Sequence, residues 1–425
     1  MDDLGRKVAV LGLGKSGYES ALFLKEKGYS VFVSEIKDTP PVLELGRELE
    51  KRDIAYETGA HSLEKILASD WVLISPGISP ATPVYQAVSE RRLPILSEIE
   101  IASRYCPTPH VVAVTGSCGK TTVTTLLRLV FEASGRKAVS CGNIGNPWVA
   151  ELARLGKDDI VVVELSSFQL QHCMRFRPSV GVLLNITPNH QDWHKDMAEY
   201  AAAKLRLFQN QVPADHAFIR RKDQAALFQE YPFHGRVHYL DENAANPNHD
   251  AVRQVTALFG VSAKQADEVF AGFRGIEHRM EDVGTLNGVS FINDSKATTA
   301  ASLAWALEKC RDHSVLLIAG GIAKSRDFGD IKDLVARKAK KVLILGKAVP
   351  VLREAWEGAA PLQEARSLDE AVREASREAK AGDTVLLSPA CSSFDMFQNY
   401  EHRGREFKRC VAELFSRSEP PKVRI

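Results

Sequence analysis

The stretch Val111-Val112-Ala113-Val114-Thr115-Gly116-Ser117-Cys118-Gly119-Lys120-Thr121-Thr122 constrains the fold of this chain more than any other. A β-branched apolar run passes into a glycine-rich turn. Residues 123–133 then place Leu126, Leu127 and Val130 on one face at helical spacing. A strand, a glycine turn and a helix N-terminus together make a ring of backbone N–H donors suited to a polyphosphate. Lys120 adds charge, and the Thr121 hydroxyl can hold Mg²⁺. A strict Walker motif has glycine at position 114, where this chain has Val114, so the match is to a shortened form. The plain alternative is an ordinary strand-to-helix turn. Gly-x-x-Gly-Lys-Thr-Thr at a strand end favours a nucleotide triphosphate site.

At 425 residues the chain exceeds a single core, and two to three domains are expected. Lys and Arg number 55 against 54 Asp and Glu, a net charge of +1, so nothing electrostatic favours nucleic acid or an anionic membrane. No apolar run approaches the length of a membrane span, and the acidic start Met1-Asp2-Asp3 is unlike a signal peptide. The seven cysteines are scattered with no C-x-x-C pair, which suggests neither a zinc knuckle nor a disulfide framework. A cytoplasmic protein is expected.

Before the phosphate turn, an apolar run at 7–11 leads into Gly12-Leu13-Gly14-Lys15-Ser16-Gly17, and the next strand ends at Glu35. This is a dinucleotide-type fingerprint, open to a dehydrogenase or to a nucleotide-sugar pocket. A later strand at 71–74 runs into Ser75-Pro76-Gly77, which would face the first turn across the sheet edge. Beyond the phosphate turn comes the loop Gly142-Asn143-Ile144-Gly145. Glu164 then ends the apolar run 159–163, placed either to bind Mg²⁺ or to compensate a helix dipole. His190 and His194 stand four apart with Asp192 between, which invites zinc on a helix, but Pro188 and Asn189 suggest a loop instead. Lys204, on an Ala-rich helical segment at 197–208, is on its own most simply a solvated charge. Residues from 211 to about 250 read as polar and irregular, with 220–223 a basic solvated turn. From 284 a mostly parallel α/β unit is expected, with strands at 289–292, 314–318, 341–345 and 384–387. Polar clusters follow its strands at 293–298, 320–324 and 388–395.

Taken together these motifs resemble the Mur ligases, the ATP-driven amide ligases of peptidoglycan synthesis. Glu164-Leu165-Ser166-Ser167-Phe168-Gln169-Leu170, Asn293-Asp294-Ser295-Lys296-Ala297-Thr298 and Ser388-Pro389-Ala390-Cys391-Ser392-Ser393-Phe394-Asp395 look like the D-glutamate-adding branch. The stretch ending in Arg403-Gly404-x-x-Phe407 belongs to the same pattern. The resemblance implies an α/β fold of three domains. These are a Rossmann-like N-terminal domain for the UDP substrate (1–97), a central P-loop ATPase-like parallel sheet (98–283) and a C-terminal Rossmann-like domain (284–425). It implies that a substrate carboxylate attacks the γ-phosphate of ATP to give an acyl phosphate, which the amine of D-glutamate then attacks. The substrates would be UDP-N-acetylmuramoyl-L-alanine and D-glutamate, handled by a monomer without nucleic acid or membrane insertion.

Site residues carry over by the same resemblance. Gly116, Ser117, Gly119, Lys120, Thr121 and Thr122 would hold ATP, with Arg279, Asp294 and Lys296 reaching it across the domain gap as the third domain closes. Lys120, Glu164, His190 and Lys204 would be catalytic. Two Mg²⁺ would be held by Thr121, Glu164, His190 and Lys204, the last as a carbamate, so the zinc and surface readings give way. Ser16, Glu35, Ser75, Pro76, Gly77 and Asn143 would bind the UDP substrate, and Thr298, Lys324, Ser393 and Tyr400 D-glutamate. Cys118, Asn189 before His190, Arg253 in place of an adenine-contacting Asn, and Ile322 or Ala323 in place of an Asp depart from the family pattern. They motivate an alternative, a binding-only paralogue. A dehydrogenase rests on 12–17 alone.

Overall fold

In the computed structural model, which describes residues 4–187, 193–273, 275–323 and 327–418, short apolar strands alternate with helices to build three sheets. The chain divides into two units, Met1–Gly272 and Phe273–Ile425. The first sheet contains β1 (Lys7–Leu11), β2 (Ser30–Glu35), β3 (Ala55–Thr58), β4 (Trp71–Ile74) and β5 (Ile95–Leu96). All pair in parallel in the order β3-β2-β1-β4-β5. The order reverses between β1 and β4, so the turns after these two strands share one crevice at the C-terminal edge. Two glycines make that approach possible. A Cβ on Gly12 (φ +93°) would come within 2.8 Å of the Ser75 side chain, and one on Gly17 within 1.9 Å of the Gly12 carbonyl.

The second sheet contains β6 (Val111–Thr115), β7 (Ala138–Gly142), β8 (Ile160–Glu164), β9 (Val180–Leu183), β10 (His216–Ile219) and β11 (Arg236–Tyr239). Its order is β11-β10-β9-β6-β8-β7, again all parallel. β6 is buried along its length, as the β-branched run requires. Its register pairs Val114 with Glu164 on one side and Thr115 with Leu183 on the other, so three strand ends stop level. β10, the helix Arg221–Leu227 and β11 occupy the stretch expected to be irregular. Its polar composition hid a strand–helix–strand unit, because β11 is an edge strand and only partly covered. The basic run at 220–223 opens that helix, and the Arg221 guanidinium lies 3.8 Å over the Tyr239 ring.

One apolar cluster runs through the first two sheets, from Val8 and Trp71 through Ile99, Ile101 and Trp148 to Val163 and Tyr200. The helix Glu98–Tyr105 carries the connection. Glu98 accepts the Val149 N–H at 2.7 Å. Glu100, fully buried, accepts the backbone N–H groups of Met174, Arg175 and Phe176 and pairs with Arg104. One carboxylate thus satisfies three amides that water cannot reach.

The second unit holds β12 (Glu281–Leu286), β13 (Val289–Asn293), β14 (Val315–Gly320), β15 (Ala339–Leu345), β16 (Leu362–Glu364) and β17 (Thr384–Leu387). They are ordered β12-β13-β17-β14-β15-β16. Five strands are parallel, as expected, while β12 is antiparallel to β13. Asn287 (φ +51°) and Gly288 (φ +75°) make the turn between them, the left-handed pair a two-residue hairpin needs. No helix among the described residues is long and apolar enough to cross a membrane.

The isosteric change Glu100→Gln turns an amide N–H₂ toward three backbone donors. It should lower the stability of the Met1–Gly272 unit by about 2 kcal/mol, read as a shifted urea-unfolding midpoint.

Candidate active site

The end of β6 delivers the chain to Gly116 (φ +151°), and Gly119 (φ +85°) caps the helix Lys120–Ala133 in the left-handed region. A Cβ on Gly119 would sit 2.7 Å from the Asn248 Oδ1, and one on Gly116 3.1 Å from the Leu184 side chain. The turn is held from below by Asn185. Its side chain accepts the Cys118 N–H at 2.9 Å and donates to the Cys118 carbonyl at 3.0 Å, and its own carbonyl accepts the Ser117 N–H. Ser117 Oγ donates to the Thr187 carbonyl and lies 3.1 Å from the Tyr200 hydroxyl. The amides of Ser117 and Cys118 are therefore committed to the protein. An anion at this turn would meet its donors in the helix's first turn, where backbone N–H groups lack intrahelical partners. Lys120 Nζ folds over the turn to the Gly116 carbonyl (2.9 Å) and the Ser117 carbonyl (3.2 Å).

Two buried groups flank this turn. Glu164 ends β8 and is 1% exposed; Oε1 accepts from Asn143 Nδ2 at 2.8 Å, and Oε2 has no hydrogen-bond partner among the described residues. The Asn143 N–H also binds the Glu164 carbonyl, and Gly142 permits the approach, since a Cβ there would lie 2.5 Å from that oxygen. The rest of the 164–170 motif is local architecture. Ser166 and Gln169 form a reciprocal capping box for the short helix Ser167–Gln171.

Lys204 is the second buried group, 1% exposed on the helix Met197–Leu205. Its Nζ lies 3.1 Å from the Gly116 carbonyl, 3.5 Å from Thr115 Oγ1 and 4.5 Å over the Tyr200 ring. No carboxylate among the described residues lies within ion-pair distance. Burial, and then the neighbouring Lys120 charge, hold the amine well below the usual lysine range. The solvated-charge reading of Lys204 is thereby corrected. An Ala-rich helix gave no sign of the side it buries.

His190 lies outside the described residues, as do Pro188, Asn189 and Asp192. His194 is buried, 2.9 Å from Ser167 Oγ through Nε2 and stacked on Phe168, which makes it a packing residue of this wall. Arg253 pairs with Asp267 and lies over the Phe270 ring. Of that segment it is Asn248 that approaches the phosphate turn.

In the first sheet Gly12, Glu35 and Gly77 line one cavity of about 420 Å³. Glu35 reaches back so that its carboxylate accepts the N–H of Leu13 (2.8 Å) and of Lys37 (2.9 Å). Ser75 donates to the Gly12 carbonyl. Lys15, beside Ser16, donates to the Gly145 carbonyl at 3.0 Å, which ties the glycine turn to the loop bearing Asn143. A larger cavity of about 680 Å³, lined by Phe23, Tyr105 and Leu152, holds none of the candidate residues.

In the second unit the strand-end clusters meet around Arg403. This guanidinium is 2% exposed and donates to Ser295 Oγ and to the carbonyls of Ser295, Gly320 and Cys391. It bolts together the turns after β13, β14 and β17. Asp294 is buried beside them, accepting from Ser388 Oγ and the Met280 N–H, and burial pushes its carboxyl up to about 6. Lys296 Nζ lies 5.9 Å over the Tyr400 ring, and Ser295 Oγ donates to the Tyr400 carbonyl. Arg279 lies over Trp305. Ser393 is buried and Thr298 half-buried, while Lys324 lies outside the described residues. Asn185 and Arg403 are the anchors that pattern reading left without a role. Asn185 follows β9 by two residues, where a polar side chain after an apolar run marks a strand end.

Comparison with known proteins finds family matches in three successive stretches of the chain. Residues 6–97 match the model of the Mur ligase MurD-like N-terminal domain. Residues 114–271 match the Mur ligase middle domain, and 278–391 the Mur ligase glutamate ligase domain. The UDP-N-acetylmuramoylalanine–D-glutamate ligase of Chloroherpeton thalassium is 37% identical, with 96% of this chain and 98% of that protein aligned. The protein of the same name from Desulfovibrio desulfuricans is 39% identical over 97% of each. Among solved structures, the MurF ligase of Thermotoga maritima, in complex with ADP, superposes with a TM-score of 0.60 at 14% identity, covering 97% of this chain and all of that one. The UDP-N-acetylmuramate-alanine ligase of the same organism gives 0.58 at 16%, with the same coverage. These two likenesses are of fold.

Asn185→Ala removes both side-chain bonds to the turn. Affinity for a nucleoside triphosphate, measured by titration with a fluorescent analogue, should fall roughly tenfold with circular dichroism unchanged.

Proposed function

This chain belongs to the Mur ligase family, and from that premise we propose that it joins D-glutamate to UDP-N-acetylmuramoyl-L-alanine with consumption of ATP. The observation that carries the proposal is the convergence at the end of β6. A glycine turn of phosphate-binding type stands here on neighbouring strand ends and one helix with a buried carboxylate and a buried amine that, among the described residues, have respectively one oxygen without a partner and no carboxylate in ion-pair distance. A carboxylate is a poor electrophile because its oxide does not leave. Phosphorylation makes that oxygen a leaving group. The substrate carboxylate attacks the γ-phosphorus and ADP departs. The D-glutamate amine then attacks the acyl carbon, loses its proton, and phosphate leaves as the amide forms.

The chain's own residues supply placement and charge. Lys120 and the first turn of its helix hold the triphosphate, Gly116 and Gly119 let it approach, and Asn185 keeps the turn in shape. Glu164 and Thr121 fit a divalent cation, since the bare buried Oε2 is a hard oxygen donor and the Thr121 hydroxyl lies at the helix start. Mg²⁺ bound there would neutralise charge between phosphate and carboxylate. We assign Lys204 as a carbamate, with His190, to a second such site. A neutral amine adds CO₂ through its lone pair and, on losing one N–H proton to solvent, becomes a carbamate anion; burial, with Lys120 beside it, favours the neutral amine that starts this step. Ser16, Glu35, Ser75, Pro76, Gly77 and Asn143 are assigned to the UDP substrate, with the cavity that Glu35 and Gly77 line as its base pocket. Arg279, Asp294 and Lys296 are assigned to ATP, and Thr298, Lys324, Ser393 and Tyr400 to D-glutamate. For a cellular compartment we propose the cytoplasm, and for the acting species a monomer.

Incubation with ATP, Mg²⁺, D-glutamate and UDP-N-acetylmuramoyl-L-alanine should release phosphate only when donor and acceptor are both present. The product mass should equal the sum of the two minus water, and phosphate release independent of D-glutamate would contradict the assignment. Lys204→Ala should lose most turnover and regain part of it with added short carboxylates, whereas full activity would remove the carbamate role.

A further inference from the structure

The cavity beside Glu35 contains a side chain that neither the sequence motifs nor the family likeness singled out. His61 follows β3 and lines the cavity, half-buried, among the apolar side chains of Ile36, Leu63, Ile78 and Val84. Its Nδ1 lies 2.7 Å from the hydroxyl of Ser34, which is fully buried on β2. The same hydroxyl lies 2.7 Å from Glu57 Oε1 on β3, and that oxygen also accepts the Ser62 N–H at 2.7 Å.

Proton counting fixes this chain of bonds. The hydrogen bonds from Ser34 and Ser62 outweigh the burial that would raise the Glu57 carboxyl, so Glu57 lies below its ordinary value and can only accept. Ser34 has one hydroxyl hydrogen. Turned to His61, it would leave hydroxyl and carboxylate oxygens facing each other at 2.7 Å with no proton between them. It therefore goes to Glu57, and Ser34 Oγ must accept from His61 Nδ1–H. Burial holds the imidazole below its usual range against the opposing pull of Glu35 and Glu57, so the ring is neutral near pH 7. A neutral ring protonated on Nδ1 carries a lone pair on Nε2. Nδ1 is engaged with β2, the ring lines the cavity, and Nε2 has no hydrogen-bond partner among the described residues.

We propose that His61, fixed in its Nδ1–H form by the Ser34–Glu57 relay, is the hydrogen-bond acceptor that reads the imide N–H of the uracil ring in the UDP substrate. The inference rests on the assignment of this cavity to the uridine nucleotide. Two features support it. The apolar walls fit the faces of a planar ring, and Glu35 is already engaged by the N–H groups of Leu13 and Lys37, so a second acceptor is useful for an in-plane donor. Ser34 and Glu57 do not touch the nucleotide. They position the ring that does.

Long-range ¹H–¹⁵N spectra of the full chain with labelled histidine, recorded near pH 7 with and without UDP, test this directly. His61 should show a protonated Nδ1 and a bare Nε2 whose resonance moves when UDP is added, and Ser34→Ala should release the single tautomer. His61→Phe, which keeps a ring but removes the acceptor, should weaken UDP binding about tenfold while leaving binding of a fluorescent ATP analogue within about twofold. A protonated Nε2 in the wild-type protein, or UDP affinity in His61→Phe within about twofold of wild type, would overturn the role of His61 and leave the pocket assignment standing. No binding of UDP by the wild-type protein would overturn the pocket assignment itself.

Discussion

An amine held away from water, over an aromatic ring and against a carbonyl of the phosphate turn, sets the terms for the central site. Lys204 has no carboxylate within ion-pair distance among the described residues, and Lys120 stands close enough to oppose a second positive charge. A charged ammonium in such a place is costly, so the group gives up its proton more readily than an ordinary lysine. Everything around it is arranged for anions. Lys120 bends over the turn to the Gly116 carbonyl at the start of its helix, and Glu164 has one oxygen without a hydrogen-bond partner among the described residues. Glu164 and Lys204 are thus two buried groups whose charge no ion pair among the described residues balances, the kind of arrangement a cation or a substrate can complete.

Parallel sheets make this economical in chain. Each strand ends at the same edge as its neighbours, so residues distant in sequence stop level with one another. Register places Glu164, Leu183 and Thr115 side by side, and the turns that follow carry Asn143, Asn185 and Gly116. The same geometry recurs in the first sheet, where the turns after β1 and β4 meet through Gly12 and Ser75. In the second unit Arg403 gathers three strand-end turns by their carbonyls. A buried guanidinium bound to carbonyl oxygens rather than to a carboxylate stays positive next to a face assigned to acidic ligands.

The parts of the structure visible in the sequence were those whose local chemistry is unambiguous. Val111–Thr115 reads as a buried strand and is one, and Gly116 and Gly119, which favour a glycine turn of phosphate-binding type over an ordinary strand-to-helix turn, both take positive φ. What stayed hidden depends on contacts between distant residues. Nothing near Lys204 in the chain says that its helix turns that face inward onto Gly116. Asn185 gives no local sign of its role, because its partner, Cys118, is 67 residues away. The β10–β11 unit was obscured by an edge strand's polar composition, and β12 by attention to parallel alternation, although Asn287-Gly288 is a strong local hairpin signal. His61 carries no motif at all; its role follows from where one serine proton must go.

The protonation state of Lys204 is the quantity on which the account of the central site turns. A carbon-13 NMR titration of the full chain with labelled lysine, assigned by comparison with Lys204→Arg, reads it directly. The account predicts that the Lys204 side chain has already lost its ammonium charge, as the neutral amine or as its anionic CO₂ adduct, well below the pH at which the surface lysines lose their protons. A Lys204 resonance that titrates together with the surface lysines would contradict it.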